Sequence, residues 1–345
     1  MGGLMSCFLS ALRSWPVWGL VLTLCLGEGC GIFSRTDPTD LPSVKQGTVK
    51  DTDETLGGET GFALDDTGSV EAWQTLVSAG FHQTCSIDSA GQLSCWGVQG
   101  GDYARGQVPG APDGDWRSVS TGEYTTCAVS GAGGLSCWGE FLGGDSPLQG
   151  NFRQVTVGVA HACTVQGNAA LACWGNDYYG QATAPSGTFT QVSAGVYHSC
   201  GINTAAKVKC WGTENDDQRD YGQATAPSGA FSTVSVGVFH SCGLTTGGGI
   251  VCWGITDGGS FDHGQVLNAP QGQFVDLDVG SYNACAVSAE GAVVCWGDDT
   301  YGKSSPPQST GFTAVTAGNA HACALMEDGS IVCWGEDTHG KTTPP

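Results

Sequence analysis

From about residue 73 onward the chain is built of short runs in which apolar side chains fill every second position, the period of a strand with one buried face. The final stretch shows the pattern. Residues 312–317 (FTAVTA) predict a first strand, Gly318 a turn, residues 321–326 (HACALM) a second strand and residues 330–334 (SIVCW) its return. Between the last two lies Glu327-Asp328-Gly329, a three-residue hairpin loop with glycine in third place, where the backbone takes a positive φ. That loop sets Met326 against Ser330, Leu325 against Ile331 and Cys323 against Cys333. Counted outward, the cysteines fall on a non-hydrogen-bonded pair, where Cα atoms approach to roughly 4.5 Å, within reach of a disulfide.

The same pattern occurs seven times. Each unit has a cysteine pair ten positions apart: Cys85 with Cys95, Cys127 with Cys137, Cys163 with Cys173, Cys200 with Cys210, Cys242 with Cys252, Cys285 with Cys295, and Cys323 with Cys333. Trp-Gly follows every second cysteine. Aliphatic residues such as Ile87, Val129 and Leu244 stand two after each first cysteine and share its face, while small residues such as Ala128, Ser136 and Ala286 occupy the other. Third-place glycine recurs as Gly91, Gly133, Gly248 and Gly291; Ala169 and Ala206 depart from it, so their loops are expected to differ, with Gly167 or Asn203 taking the special conformation. Such a unit cannot cover both its faces, so the units must stack. Seven of them arranged radially predict an all-β, seven-bladed β-propeller over residues 73–345. Residues 73–80 precede the first hairpin, and a strand exchange between the two ends is expected to close the ring.

Composition adds a compartment and removes partners. The net charge of −21, with 12 Lys and Arg scattered along the chain, argues against binding nucleic acid or an anionic membrane surface. Near the N-terminus Arg13 is followed by an apolar run over residues 15–26 and the small residues Gly27 and Gly29, which reads as a secretory signal over residues 1–29 and is too short for a comfortable membrane span. Cys30 follows at once, as the lipidated cysteine of a bacterial lipoprotein would. Leu26, however, stands four residues before it and Glu28 intervenes, so ordinary cleavage after Gly29 stays open. Residues 30–72, rich in Asp, Glu, Thr, Gly and Pro over most of their length, form an acidic tether that cannot bury enough surface to fold alone. Paired cysteines require an oxidising compartment, which places the protein outside the cytoplasm, in a bacterial cell envelope or extracellular.

Gly237-Val238-Phe239-His240-Ser241-Cys242, then Ile250-Val251-Cys252-Trp253-Gly254, then Gly264-Gln265, resembles the regulator of chromosome condensation repeat, and the likeness runs over residues 73–345. It implies a seven-bladed propeller. The cysteine pairs resemble a secreted bacterial branch of that family more than its nuclear one. Members of the family include a nuclear exchange factor for a small GTPase, a plant ultraviolet photoreceptor and a secreted bacterial inhibitor of β-lactamase, activities that share little beyond the scaffold.

Candidate chemistry is thin. His161, His198, His240 and His321 occupy one repeat position, filled elsewhere by Gln83, Thr125 and Asn283, and are expected to be structural, each hydrogen-bonding backbone beside the glycine turn. Cysteines facing each other across a hairpin suit a disulfide better than a zinc site. The repeated tryptophans, with Trp73 and Trp116 where other units carry Phe, read as packing between blades. Asp177, Asp216, Asp298, Asp299, Glu336 and Asp337, just past Trp-Gly, read as turn residues. No catalytic triad, phosphate loop or nucleotide fingerprint stands out, so no cofactor, no metal and no enzymatic activity are expected. The expectation is a monomeric, exported scaffold that binds an unknown protein or surface ligand, with a membrane reached only through a lipid on Cys30; regulation of an enzyme, as a hydrolase inhibitor or a GTPase exchange factor, is the alternative. The irregular segments 98–110, 141–148, 214–221 and 255–263 are the expected contact loops. Metabolic labelling with palmitate separates the two fates of Cys30: lipidation predicts label at that residue, and an unmodified N-terminus leaves a plain secreted protein.

Overall fold

The computed structural model describes residues 76–140, 148–213 and 219–345. The expected signal and tether, with Cys30 and Trp73, lie outside the described residues.

Seven three-stranded antiparallel sheets follow one another, over residues 77–97, 116–139, 152–175, 189–212, 231–254, 274–297 and 312–335. In each blade an inner strand pairs with a middle strand and the middle with an outer one, always in chain order. The last blade has the inner strand Phe312–Ala317, the middle strand His321–Met326 and the outer strand Ile331–Gly335. Alternation of apolar residues therefore predicts the strands to within a residue. Each cysteine pair faces itself across the hairpin, with Cα atoms 4.0–4.1 Å apart.

Blades pack by unlike faces. The disulfide face of one, for example Cys242, Leu244 and Ile250, meets the inner strand and small-residue face of the next, here Phe274, Leu277, Ala286 and Trp296. The same core recurs between blades 1 and 2, 2 and 3, 3 and 4, 4 and 5, and 6 and 7. The first cysteine of every pair is fully buried, and so are Phe152, Phe189 and Phe231 at the heads of inner strands.

Around the axis the inner strands are stitched side by side. One hydroxyl or carboxylate on each accepts a hydrogen bond from the backbone N–H of the next blade: Ser78 from Thr121, Ser120 from Val157, Thr156 from Ala194, Ser193 from Val236, Ser235 from Val279, Asp278 from Ala317, and Thr316 from Ala79, at 2.8–3.2 Å. The seventh bond joins the last blade to the first. Ring closure therefore does involve the N-terminal strand, but the expected strand exchange does not occur. Val77–Ala79 pairs with its own hairpin, Ser78 opposite Cys85, because the last blade already has an inner strand preceding its hairpin and so has no vacancy to fill. The C-terminal turn completes the seam: the Lys341 carbonyl accepts from Thr84 Oγ1 at 3.0 Å and Trp96 Nε1 at 2.9 Å.

A second correction concerns the two hairpin loops without glycine. Ala169 and Ala206 hold the third place with φ of 65° and 58°, the conformation that Gly91 and Gly329 adopt at 74° and 84°. Their amides close the same turn, on Gln166 and Asn203, so packing imposes the loop despite the Cβ. A left-handed backbone costs a non-glycine residue about 1 kcal/mol or more, and the greater freedom of glycine in the unfolded chain offsets part of that. The double variant Ala169→Gly/Ala206→Gly is expected to gain about 1 kcal/mol and to raise the thermal midpoint by about 2 °C; a lower midpoint in calorimetry contradicts the strain.

Candidate functional site

The strand directions put two kinds of connection on opposite faces of the ring. Three-residue hairpin loops lie on one. The first six are each tied to the start of the following inner strand, as where Trp116 N–H donates to Gly91 O and Phe312 N–H to Gly291 O. On the other lie the glycine turns between inner and middle strands and the segments that leave Trp-Gly. These are bonded together: Val98 N–H donates to His82 O, Glu140 to Tyr124 O, Ile255 to Phe239 O and Asp298 to Tyr282 O. This turn face therefore carries the irregular segments 98–110 and 255–263. Of the expected contact segments 141–148 and 214–221, residues 141–147 and 214–218 lie outside the described residues.

The second residue after the turn glycine is aromatic in five blades: His82, Tyr124, Tyr197, Phe239 and Tyr282, with Ala160 and Ala320 in the others. Rings from the loops join them. Tyr179 meets Tyr197 edge-on at 5.2 Å between centroids, Tyr197 stacks on Phe239 at 5.6 Å, Phe261 lies 5.3 Å from Phe239, and Phe261 stacks on Tyr282 at 6.1 Å. A smaller group brings Tyr103 to 4.6 Å from His82. Phe239 is the buried floor; Phe261 is 45% exposed, Tyr103 48%, Tyr178 67% and Tyr301 65%. Arg219 lies over Tyr179 and Tyr197, and Arg105 over Tyr124 while paired with Glu140 at 2.8 Å. Spacing arguments missed this band because it occupies a variable position of the repeat, an x in Gly-x-x-His. The available signal was the recurrence of Tyr and Phe at that x.

The four repeat-position histidines are fully buried, in blades 3, 4, 5 and 7, and in three of them the expected backbone bond is replaced by something more specific. His161 Nε2 lies 2.7 Å from Ser199 Oγ, His198 from Ser241 and His321 from Thr84, in each case on the next blade. Those hydroxyls also donate to the carbonyls of Gln181, Gln223 and Lys341. A carbonyl cannot donate, so the single hydroxyl proton points to it and the imidazole N–H must sit on Nε2. His240 faces Ala284, which has no hydroxyl to offer. The tryptophan indoles reinforce the same turns, with Trp211 and Trp253 donating to Gln181 and Gln223.

Asp177, Asp299 and Asp337 accept bonds from amides five residues on, closing their own turns. Asp298 is partly desolvated, which raises its pKa, but hydrogen bonds from Lys303 and Thr300 outweigh burial and hold it at about 2. Glu336 pairs with Lys341. Asp216 lies outside the described residues. Among the described residues no cluster of three or more His, Cys, Asp or Glu is placed to hold a metal ion.

The seven inner strands enclose an axial cavity of about 270 Å³. Two carboxylates from blade 6 line it. Burial pushes Asp276 up to about 6 against the opposing bond from Val315 N–H, with the charge of Asp278 adding to the rise, and burial likewise raises Asp278. Asp278 accepts from Ser235 Oγ, Thr316 Oγ1 and Ala317 N–H, so it belongs to the axial stitching.

The model of the regulator of chromosome condensation (RCC1) repeat matches residues 189–223, 274–303 and 312–341, which are blades 4, 6 and 7 with their following turns. No curated protein sequence matches. Among solved structures, the CRINKLY WD40 ectodomain of the receptor kinase ACR4 from Arabidopsis thaliana is similar at 20% identity and a TM-score of 0.62, over 76% of this chain and 97% of that one. The ectodomain of the receptor kinase CR4 from Physcomitrella patens gives 24% and 0.63, over 76% and 74%. Prp20p from Saccharomyces cerevisiae, a protein with binding properties toward Gsp1p and histones, gives 14% and 0.55, over 70% and 80%. At these identities the likeness is one of fold.

The buried histidines give stability a pH dependence. In the unfolded chain they take up protons below about pH 6.5, whereas burial keeps the folded rings neutral down to about 4 for His161 and about 3 for His198, His240 and His321. Between these values the unfolded state binds more protons, so stability is complete above 6.5 and is lost as pH falls, by up to about 1.4 kcal/mol per histidine per pH unit. Asp276 and Asp278 oppose them, because their folded pKa values are raised and their protonation favours the folded state on acidification. Four groups outweigh two. The thermal midpoint is expected to fall between pH 7 and 5, and to fall less in His198→Asn, the residue that blade 6 carries at that place; an unchanged slope contradicts the account.

Proposed function

The chain belongs to the regulator of chromosome condensation repeat family, and from that scaffold we propose a non-catalytic, exported binding protein that engages a protein partner through its turn face. One observation carries the reading. The aromatic band of blades 3 to 6 and the irregular segments 98–110 and 255–263 lie on one face, while the hairpin face has only short uniform loops. Partly exposed Tyr and Phe over a rigid support suit an interface, because large rings bury area at little cost in side-chain entropy. Export is supported by the seven cysteine pairs at disulfide distance and by the N-terminal signal, with Cys30 the residue a lipid would occupy. A partner that is itself a secreted hydrolase would make the binding regulatory.

The reading is tested with a photo-crosslinking residue placed at Phe261 on the turn face or at Asp328 on the hairpin face. The full chain is then exposed to the surface of the source cell and its adducts are identified by mass spectrometry. A partner crosslinked from position 261 and not from 328 is expected. A partner reached only from 328, or a cytosolic GTPase recovered from either, overturns it.

A further inference from the structure

The turn face has a chemistry that selects among partners. Two of its arginines already show how it holds a cation. Arg219 sits 5.7 Å above the ring of Tyr179 and 5.3 Å above that of Tyr197, and its Nη1 donates to Tyr179 Oη at 2.9 Å. Arg105 sits 5.7 Å above Tyr124 with its Nε on Glu140. Both place a guanidinium over a ring, the face of which carries negative charge density, and two of these rings, Tyr197 and Tyr124, occupy the same repeat position of their blades.

That position is also aromatic in blades 5 and 6, as Phe239 and Tyr282, and Phe261 packs against both. Here no Lys or Arg lies over the rings among the described residues and His263 meets Tyr282 edge-on at 5.7 Å, while Asp257 and Asp262 flank Phe261 in the same loop. Both carboxylates accept amide hydrogen bonds within that loop, Asp257 from Gly259 and Asp262 from Gly258 and Gly264, which orients them and leaves their charge uncompensated. The face's other basic residues, Lys303 and Lys341, are buried and paired with Asp298 and Glu336. An anionic partner would meet repulsion here as well as from a chain of net charge −21, and a neutral apolar one would strip water from carboxylates without replacing it.

We infer that the turn face of blades 5 and 6 receives an arginine- or lysine-rich segment of a partner protein, its cationic side chains lying over Phe261 and Tyr282 and paired with Asp257 and Asp262. The inference rests on the proposed function above and supplies the partner's chemistry. It differs from general attraction to a polyanion in requiring this face and these rings.

The probe is a fluorescein-labelled ten-residue peptide of alternating arginine and glycine, titrated with the full chain and followed by anisotropy, beside the same peptide with citrulline for arginine. The arginine peptide is expected to bind, the citrulline peptide at least tenfold more weakly. Phe261→Ser, in an exposed loop where folding is not at risk, should weaken binding about tenfold, and Phe261→Tyr should retain it. Asp257→Asn/Asp262→Asn keeps the loop's acceptors and should weaken binding by a similar factor. Glu290→Gln/Glu327→Gln removes the same number of charges from the hairpin face and should leave it unchanged. Equal weakening by the two charge pairs, equal binding of the two peptides, or no binding of the arginine peptide overturns the inference. If the crosslink from position 261 is nevertheless obtained, the face is right and its chemistry wrong; if that crosslink also fails, the reading beneath it falls.

Discussion

The constraint that governs the ring is the close approach of successive inner turns at the axis. A Cβ on Gly80 would stand 2.5 Å from the carbonyl oxygen of Gly122, and the same collision repeats from Gly122 to Gly158 and onward until Gly318 meets Gly80. Only glycine lets seven blades come this near, and the nearness brings each inner-strand N–H within reach of the neighbouring Ser, Thr or Asp. Each such bond contributes about 1 kcal/mol net, yet leaving the amide unpaired in that interior would cost more. Closure follows from repetition: Thr316 and Ala79 satisfy across the seam what Ser120 and Val157 satisfy within the chain. A closed ring leaves no exposed sheet edge at its ends to pair with another chain.

Regular and irregular residues divide the work. Disulfides hold each hairpin from within, and their buried faces receive the tryptophan and small side chains of the next blade. Histidine, hydroxyl and carbonyl then link three segments at each of three junctions, so the turn face is anchored from beneath by groups that cannot move independently. Loops that vary in length and sequence can rest on that support without disturbing it, which is why variable rings such as Phe261 can serve recognition while Trp253 cannot.

Most of the fold could be read from the sequence, because period-two alternation and hairpin counting are local and the cysteine register tests them independently. Where tertiary packing overrides local preference the reading failed. Ala206 takes a glycine conformation because the hairpin on both sides of it is fixed. The histidine partners could not be found by spacing, since Ser199 and Ser241 lie in other blades, although a hydroxyl follows the position whenever the preceding blade supplies His161 or His198. Residues 73–80 suggested an exchange because the sequence does not say on which side of a hairpin its partner strand lies. The aromatic band was hidden for a related reason: Tyr179, Tyr197, Phe239, Phe261 and Tyr282 come from three different repeat positions, and only the packing of neighbouring blades brings them together.

That the ring is closed by the same bond seven times is the claim on which the rest depends, and native-state hydrogen exchange of the full chain tests it at single amides. The account predicts that Ala79, donating across the seam, exchanges only with global unfolding, as Val157, Ala194, Val236 and Ala317 do. Rapid exchange of Ala79 beside protected amides in the other blades would show a ring that opens between its last blade and its first.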